Sequence, residues 1–453
     1  MKAEDVPADV HLIGDEALGN TSYLVSAGDG VALSIDPRRD VDEHIELANR
    51  LGVRITAVIE THLHADFVSG ALELRDATGA TIYGAMMAHL DFPHSPITDG
   101  DRIDVGGTLL EALATPGHTP EHLAYLATIG GTNVLFSGGS LIVGGAARTD
   151  LSGAERTAEL GRAQYGSLRH LASLPLRTIL CPTHGGGSFC STGRAKATTS
   201  TIGKELETNP LLRAPDASAF VELLSAGLGS YPTYFNHLRE VNRIGAELVG
   251  DLDAVPRLPA EQAQGLMERG AWLVDARPVA TWAEAHPQGA VSIELRPAFA
   301  SWLGWVVPFR ADVVLLLERS QLGELLRLAR RIGYDSIRGW ITFEDWRDAG
   351  LAVASVEQVT AEEAAERAGH GTTLLDVRQR SEHATARLPG STSIELGDII
   401  AGKTPDAEDV ITYCGHGERS ATAASLLGRR GLRVANLDGG TSGWRDAGLP
   451  LER

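Results

Sequence analysis

The stretch THLHADFVSG, residues 61–70, sets two histidines and an aspartate within five positions, directly after the apolar run AVIE at 57–60. A strand that ends on ligand-type side chains delivers them to the crevice at the carboxyl edge of a sheet, where open α/β sheets hold their ligands. Three more segments repeat the device. His118 follows LLEALATPG, His184 follows TILCPT, and Cys414 follows DVITY. Around them VALSID, ITAVIE, TLLEALA, NVLF and RTILC read as buried or half-buried strands. ASAFVELLSAGL and YFNHLREVNRIGAELV read as helices.

Composition narrows the setting. A chain of 453 residues exceeds one ordinary core, so two or three domains are expected. The net charge of -19 argues against nucleic acid or an anionic membrane surface as partner. Three cysteines, Cys181, Cys190 and Cys414, build no disulfide framework and point to a reducing compartment. The acidic start MKAEDVPADV lacks a signal-peptide core, and no apolar run reaches membrane-spanning length. A cytoplasmic protein without nucleic-acid or membrane partners is expected.

Past the proline-containing linker DLDAVPRLPA the sequence repeats itself. LVDARPVATWAEAHPQGAVSIEL from Leu273 matches LLDVRQRSEHATARLPGSTSIEL from Leu374, and WRDAGL recurs at Trp346 and Trp444. The copies lie about a hundred residues apart, the size of a domain rather than of a solenoid repeat. The expected domains are therefore 1–250, 256–352 and 356–453.

In the last copy, ITYCGHGERSATAASLLGRRG runs a strand into Cys414, a glycine-rich turn and a helix. Backbone N–H groups of such a turn point at whatever sits over it and stabilise a thiolate, and Arg419 adds positive charge. The Cys-x4-Arg ring of Gly415, His416, Gly417 and Glu418, closed by Arg419 and Ser420, is one residue shorter than the Cys-x5-Arg loop that wraps a phosphate, and suits a persulfide sulfur. A buried, inert thiol beside a turn is the bland alternative. The first copy aligns through DVVLLLERS with three residues deleted and contains no cysteine, so a packing or docking role is expected of it.

These motifs resemble known families. THLHAD, TPGHT and PTHGGGS resemble the ligand motifs of the metallo-β-lactamase fold, specifically its persulfide dioxygenase branch. CGHGERS, with LLDVRQRSEH before it and GGTSGWRDAG after it, resembles the loop of rhodanese-type sulfurtransferases. The whole chain resembles bacterial fusions of the two, a likeness that extends to NTSYLV, IDPRRD, ARTDL and YPTYFNHLREVNRIG. The resemblance implies an αββα sandwich followed by two rhodanese-like α/β domains. It also implies oxidation of a low-molecular-weight persulfide to sulfite, sulfane-sulfur transfer through Cys414, and persulfide, thiosulfate or sulfite as small-molecule partners. A homo-oligomer is expected.

The family's iron is held by two histidines, here His62 and His118, and by an aspartate whose position in LFSGGSLIV is Gly139. The histidine that serves a second metal in the hydrolase branches is Phe67. Three outcomes stay open: zinc on His62, His64 and His118, with Asp66 and His184 as further candidates; iron(II) held weakly by two histidines and a thiolate or solvent; or an empty structural pocket. On the resemblance, sulfurtransfer alone and a persulfide-binding scaffold without turnover are the alternatives to the two-activity fusion.

Overall fold

Alternation along the first strands shows how the N-terminal layers are built. In Asn20–Ser26, Tyr23 and Val25 face one side of the sheet and Leu24 the other, as a period of two requires. The computed structural model describes residues 6–192, 195–250 and 254–453. Six strands, from Val10–Asp15 to Ser95–Ile97, lie in sequence order, the first three antiparallel and the rest parallel. A second six-stranded sheet runs from Arg102–Val105 through Thr108–Ala114, Leu123–Ile129, Thr132–Gly138 and Ile179–Pro182 to Ser200–Thr201. Tyr23, Leu33 and Ile59 pack against Leu110, Tyr125 and Phe136 between the sheets. The outer face of the first sheet buries Leu24, Val58 and Ile82 under Ala48, Ala71 and Leu74 of helices Asp42–Leu51 and Ala71–Thr78. Leu135 and Leu180 on the other outer face meet Leu168, Leu171 and Phe220 of helices Thr157–Leu171 and Ala217–Ala226. The expected αββα sandwich is present.

The helix expected over YFNHLREVNRIGAELV spans only Phe235–Ile244. Gly245, at φ 93°, turns the chain out of it, and the apolar tail that followed is not helical. Part of the linker is structured as well. Leu258 N–H donates to the Trp340 carbonyl, and Leu258 joins the core of the first copy; residues 251–253 lie outside those described.

The chain divides into two compact units, Met1–Gly250 with Arg330–Gly333, and Asp251–Ala329 with Tyr334–Arg453. Apart from 330–333, both repeat copies belong to the second. The first copy orders its parallel strands Val291–Ser292, Trp272–Asp275, Val313–Leu316, Ile337–Ile341. The second gives Thr392–Ser393, Thr373–Asp376, Asp409–Tyr413, Arg433–Leu437, and then Glu357–Val359. The shared order shows a duplicated fold. A salt bridge is duplicated too: Arg277 forks onto Asp275 and donates to the Ala285 carbonyl, and Arg378 forks onto Asp376 and donates to the Ala386 carbonyl.

Candidate functional sites

The first unit gathers five buried imidazoles, from His62, His64, His118, His122 and His184, at the carboxyl ends of its strands. Their hydrogen bonds fix the tautomers. Thr61 spends its one hydroxyl proton on Asp36, 2.7 Å away, so the His62 Nδ1–H must donate to Thr61 Oγ1 at 2.8 Å. His184 Nδ1 lies 3.0 Å from Asn20 Oδ1 and 3.3 Å from an Asp66 oxygen, both acceptors. His118 Nδ1–H donates to the Arg148 carbonyl at 2.6 Å. Each Nε2 therefore presents a lone pair. Those of His62 and His184 stand 3.2 Å apart, and that of His118 is buried without a partner. Facing lone pairs repel unless a cation joins them. The gap matches the roughly 3.3 Å between two nitrogens on one tetrahedral ion with bonds of about 2.0–2.1 Å. Carbonyl, hydroxyl and amide acceptors behind the Nδ1 atoms are the supports that metal-ligating histidines require. Burial and the neighbouring imidazoles hold His62 and His118 well below the usual histidine range, so both are neutral donors. The donor set fits a metal ion of the zinc type.

His64 is arranged differently. Its Nε2 lies 3.2 Å from Asp36 and 3.4 Å from Glu60. Burial alone would depress its pKa, but the Asp36 charge and hydrogen bonds to Asp36 and Glu60 push it up to about 10. It is an imidazolium in an ion pair, and a proton must leave before it can hold a metal. Burial works against ionisation of Asp36, yet His64, Thr183 and Thr61 keep its carboxyl below the usual range; Glu60 is raised by burial. Asp66 accepts from Asn20 at 2.9 Å and is held low, chiefly by His184, against the cost of burial.

Gly139 is filled in. A Cβ there would lie 2.4 Å from His118 Cδ2 and 3.0 Å from His184 Cδ2, so two imidazoles occupy the room of a carboxylate. Asp150 is committed to Arg148, with contacts of 2.7 and 2.8 Å. The two-histidine, one-carboxylate iron set therefore does not fit these residues. Three sets of donors have their ligand atoms within 4.8 Å of one another around this pocket: His62, His64 and His184; His118, His184 and Cys190; and Asp36, Glu60 and His64, the ion pair described above. His184 belongs to the first two.

In the second unit Cys414 is buried at the end of strand Asp409–Tyr413. Gly417 N–H donates to its Sγ at 3.1 Å, and Ser420 Oγ lies 3.6 Å away. Gly417, at φ 113°, caps the helix Glu418–Gly428, aiming its N-terminus at the sulfur. Thr441 and Ser442 N–H groups donate to the Cys414 and Gly415 carbonyls, and only glycine fits at 440, where a Cβ would lie 2.4 Å from the Cys414 oxygen. Arg419 forks onto Glu382 at 2.7 and 3.0 Å and lies 5.9 Å from the ring of Trp302, which the first copy supplies. Its charge is held firmly, because the Glu382 and Cys414 contacts outweigh burial. His416, Gly417 and Glu418 border a cleft of about 640 Å³ with Glu284, Glu294 and Asp438. In the first copy, strand Val313–Leu316 passes through Glu318 into a short helical turn, with no cradle.

Sequence reasoning missed several participants. His122 accepts the Gly139 N–H at 2.9 Å and stacks on His62 at 4.8 Å; its spacing of four from His118 was the available signal. Asp36, Glu60 and Asn20 carry ordinary polar identities and become visible only through their partners. Glu382 and Trp302 are remote in sequence from Cys414.

Comparison with known proteins agrees with this architecture. The metallo-beta-lactamase superfamily profile matches residues 15–184, and the rhodanese-like domain profile matches 360–447. A hydroxyacylglutathione hydrolase of Methylobacillus flagellatus is 36% identical over 151 residues, 33% of this chain and 56% of the relative. One from Cereibacter sphaeroides is 31% identical over 227 residues, 44% of this chain and 85% of the relative. A metallo-beta-lactamase of Staphylococcus aureus, 26% identical, superposes with a TM-score of 0.66 over 74% of this chain and 98% of its own. Among the described residues no helix is long and apolar enough to cross a membrane.

Proposed function

Because the chain belongs to the metallo-β-lactamase superfamily and carries a rhodanese-like domain at 360–447, we propose that it transfers sulfane sulfur through a persulfide on Cys414. The observation that supports this most is the cradle itself: a buried thiol with the Gly417 amide at 3.1 Å and a helix N-terminus behind it. The Cys414 thiolate attacks the outer sulfur of a persulfide RS–SH. The RS–S bond breaks, RS leaves with the proton as RSH, and Cys414–S–S⁻ remains. Amides that point into the ring accept this charge as they accepted the thiolate. Attack by sulfite on the terminal sulfur forms thiosulfate and returns the Cys414 thiolate. Arg419, fixed by Glu382, holds positive charge at the ring through both steps.

The histidine pocket of the first unit is the second element of the reading, a metal site that receives a thiol or persulfide. A bound ion would supply Lewis acidity to an oxygen or sulfur ligand, and His62, His118 and His184 would hold it. Hydroxyacylglutathione hydrolysis, the activity named for the relatives, is disfavoured by Phe67 in the second-metal position and by Gly139. Persulfide oxidation at an iron centre has no carboxylate to rest on there.

Two assays separate the activities. Sulfur transfer from glutathione persulfide to sulfite should vanish in Cys414→Ser, because a serine hydroxyl ionises far too weakly to replace a thiolate. Transfer undiminished in that variant would refute the proposal. Oxygen uptake with the same persulfide should be absent from the wild-type protein, and rapid uptake would restore the dioxygenase reading.

A further inference from the structure

We propose that Cys190 is the anionic ligand of this metal site, standing in for the carboxylate that Gly139 lacks and completing a set with His118 and His184. The inference rests on the metal-site reading above and extends it to the identity of the charged ligand. Three independent features converge. Cys190, His118 and His184 place one ligand atom each within 4.8 Å of one another, all fully buried. The Nε2 of His118 has no partner, and its Nδ1–H is tied to the Arg148 carbonyl, so its lone pair is committed to the pocket. Arg148 also holds the thiol in register: its N–H donates to the Cys190 carbonyl at 2.8 Å and its guanidinium to the Phe189 carbonyl at 3.0 Å. One residue thus fixes the backbone of one ligand and the tautomer of the other.

Charge explains why a thiol belongs here. Neutral imidazoles give a buried divalent ion no charge of their own, and the nearby charge on Asp66 sits behind the His184 Nδ1 rather than among the donors, which is costly in a medium of low dielectric. A carboxylate normally supplies the compensation, but the histidine rings fill the space beside Gly139. Binding would exchange the Cys190 S–H bond for an S–metal bond, with the proton released to solvent. Imidazole nitrogens joined by one sulfur form a borderline-to-soft set that selects zinc, or cobalt(II) as its spectroscopic surrogate, over the hard cations that favour oxygen.

The test uses the full-length protein, stripped of metal and titrated with cobalt(II) alone under anaerobic conditions. Imidazole-only sites give weak visible bands, whereas a thiolate ligand adds intense near-ultraviolet charge transfer. The expected result is one equivalent of cobalt with that absorption in the wild-type protein. The absorption should persist in Cys181→Ser and Cys414→Ser, vanish in Cys190→Ser, and leave cobalt bound there at least about tenfold more weakly. Cobalt bound without charge transfer in the wild type would overturn the role of Cys190 while leaving the histidine site standing. No cobalt or zinc bound at all would overturn both. Charge transfer retained in Cys190→Ser would assign the thiolate to another cysteine and equally sink the inference.

Discussion

Trp282 of the cysteine-free copy is the side chain whose removal asks most of the structure. The helix Glu418–Gly428 that carries the positive end of its dipole to Cys414 is buried at every position from Ser420 to Leu427. A helix apolar and small all round needs cover on both sides. Its own sheet covers one side. On the other, Trp282 and Ala283 pack on Ala421 and Ala424, and Thr422 Oγ1 donates to the Ser292 carbonyl at 2.7 Å. Trp282 is 0% exposed and stacks on His286 at 4.5 Å. Its indole Nε1 has no hydrogen-bond partner, so Trp282→Ala loses packing alone. Deleting a buried tryptophan costs about 3–5 kcal/mol, and alanine neighbours are too short to refill the cavity. If the loss falls on the helix, its opening equilibrium rises by roughly two to three and a half powers of ten, at about 1.4 kcal/mol each. Hydrogen exchange of peptides covering 418–428, measured beside sulfur transfer, reads this directly. Protection should fall by that order and turnover with it. Unchanged exchange in this helix, or a stability loss below about 1 kcal/mol, would refute the idea that the first copy survives as a buttress.

Three further outcomes are expected. Glu382→Gln removes the charged partner of Arg419 and should lower sulfur transfer roughly tenfold with little change in stability, read from kcat and the unfolding midpoint. Asp376 is held below its usual range because the Arg378 fork and His383 outweigh burial. Its charge therefore stabilises the fold above about pH 4 and ceases to do so as pH falls through the lower folded value. Asp376→Asn should cost roughly 3 kcal/mol at neutral pH, a deficit that shrinks below about pH 4; a constant deficit across that range would contradict the assignment. Gly139→Ala and Gly139→Asp impose the same Cβ on His118, and only the second adds a carboxylate. Alanine should destabilise by about 1–3 kcal/mol and weaken metal binding, and aspartate alone should raise iron content above the wild-type level. Equal iron in the two variants would mean that the carboxylate cannot reach the ion.

The strands, the duplication and the cysteine loop were legible because each is local. Alternating burial in Asn20–Ser26, the repeated SIEL and WRDAGL, and the Cys-x4-Arg spacing are all set by neighbours in sequence. The division of roles among the histidines was not. His64 sits in the ligand motif, yet Asp36, from the end of another strand, and Glu60, four residues upstream, convert it to an imidazolium, and the motif does not announce that pairing. Cys190 lies in no ligand motif, and its closeness to His118 and His184 is a product of the fold. The helix past Ile244 was overextended because an apolar tail outweighed Gly245.

Where the sulfur is placed decides whether Cys414 carries it. After brief exposure to glutathione persulfide without acceptor, proteolysis under acid and mass spectrometry would locate any added sulfur atom among Cys181, Cys190 and Cys414. One sulfur is expected on the Cys414 peptide, discharged on addition of sulfite with formation of thiosulfate. Sulfur found on Cys190 or Cys181 while Cys414 stays unmodified would contradict this role of Cys414.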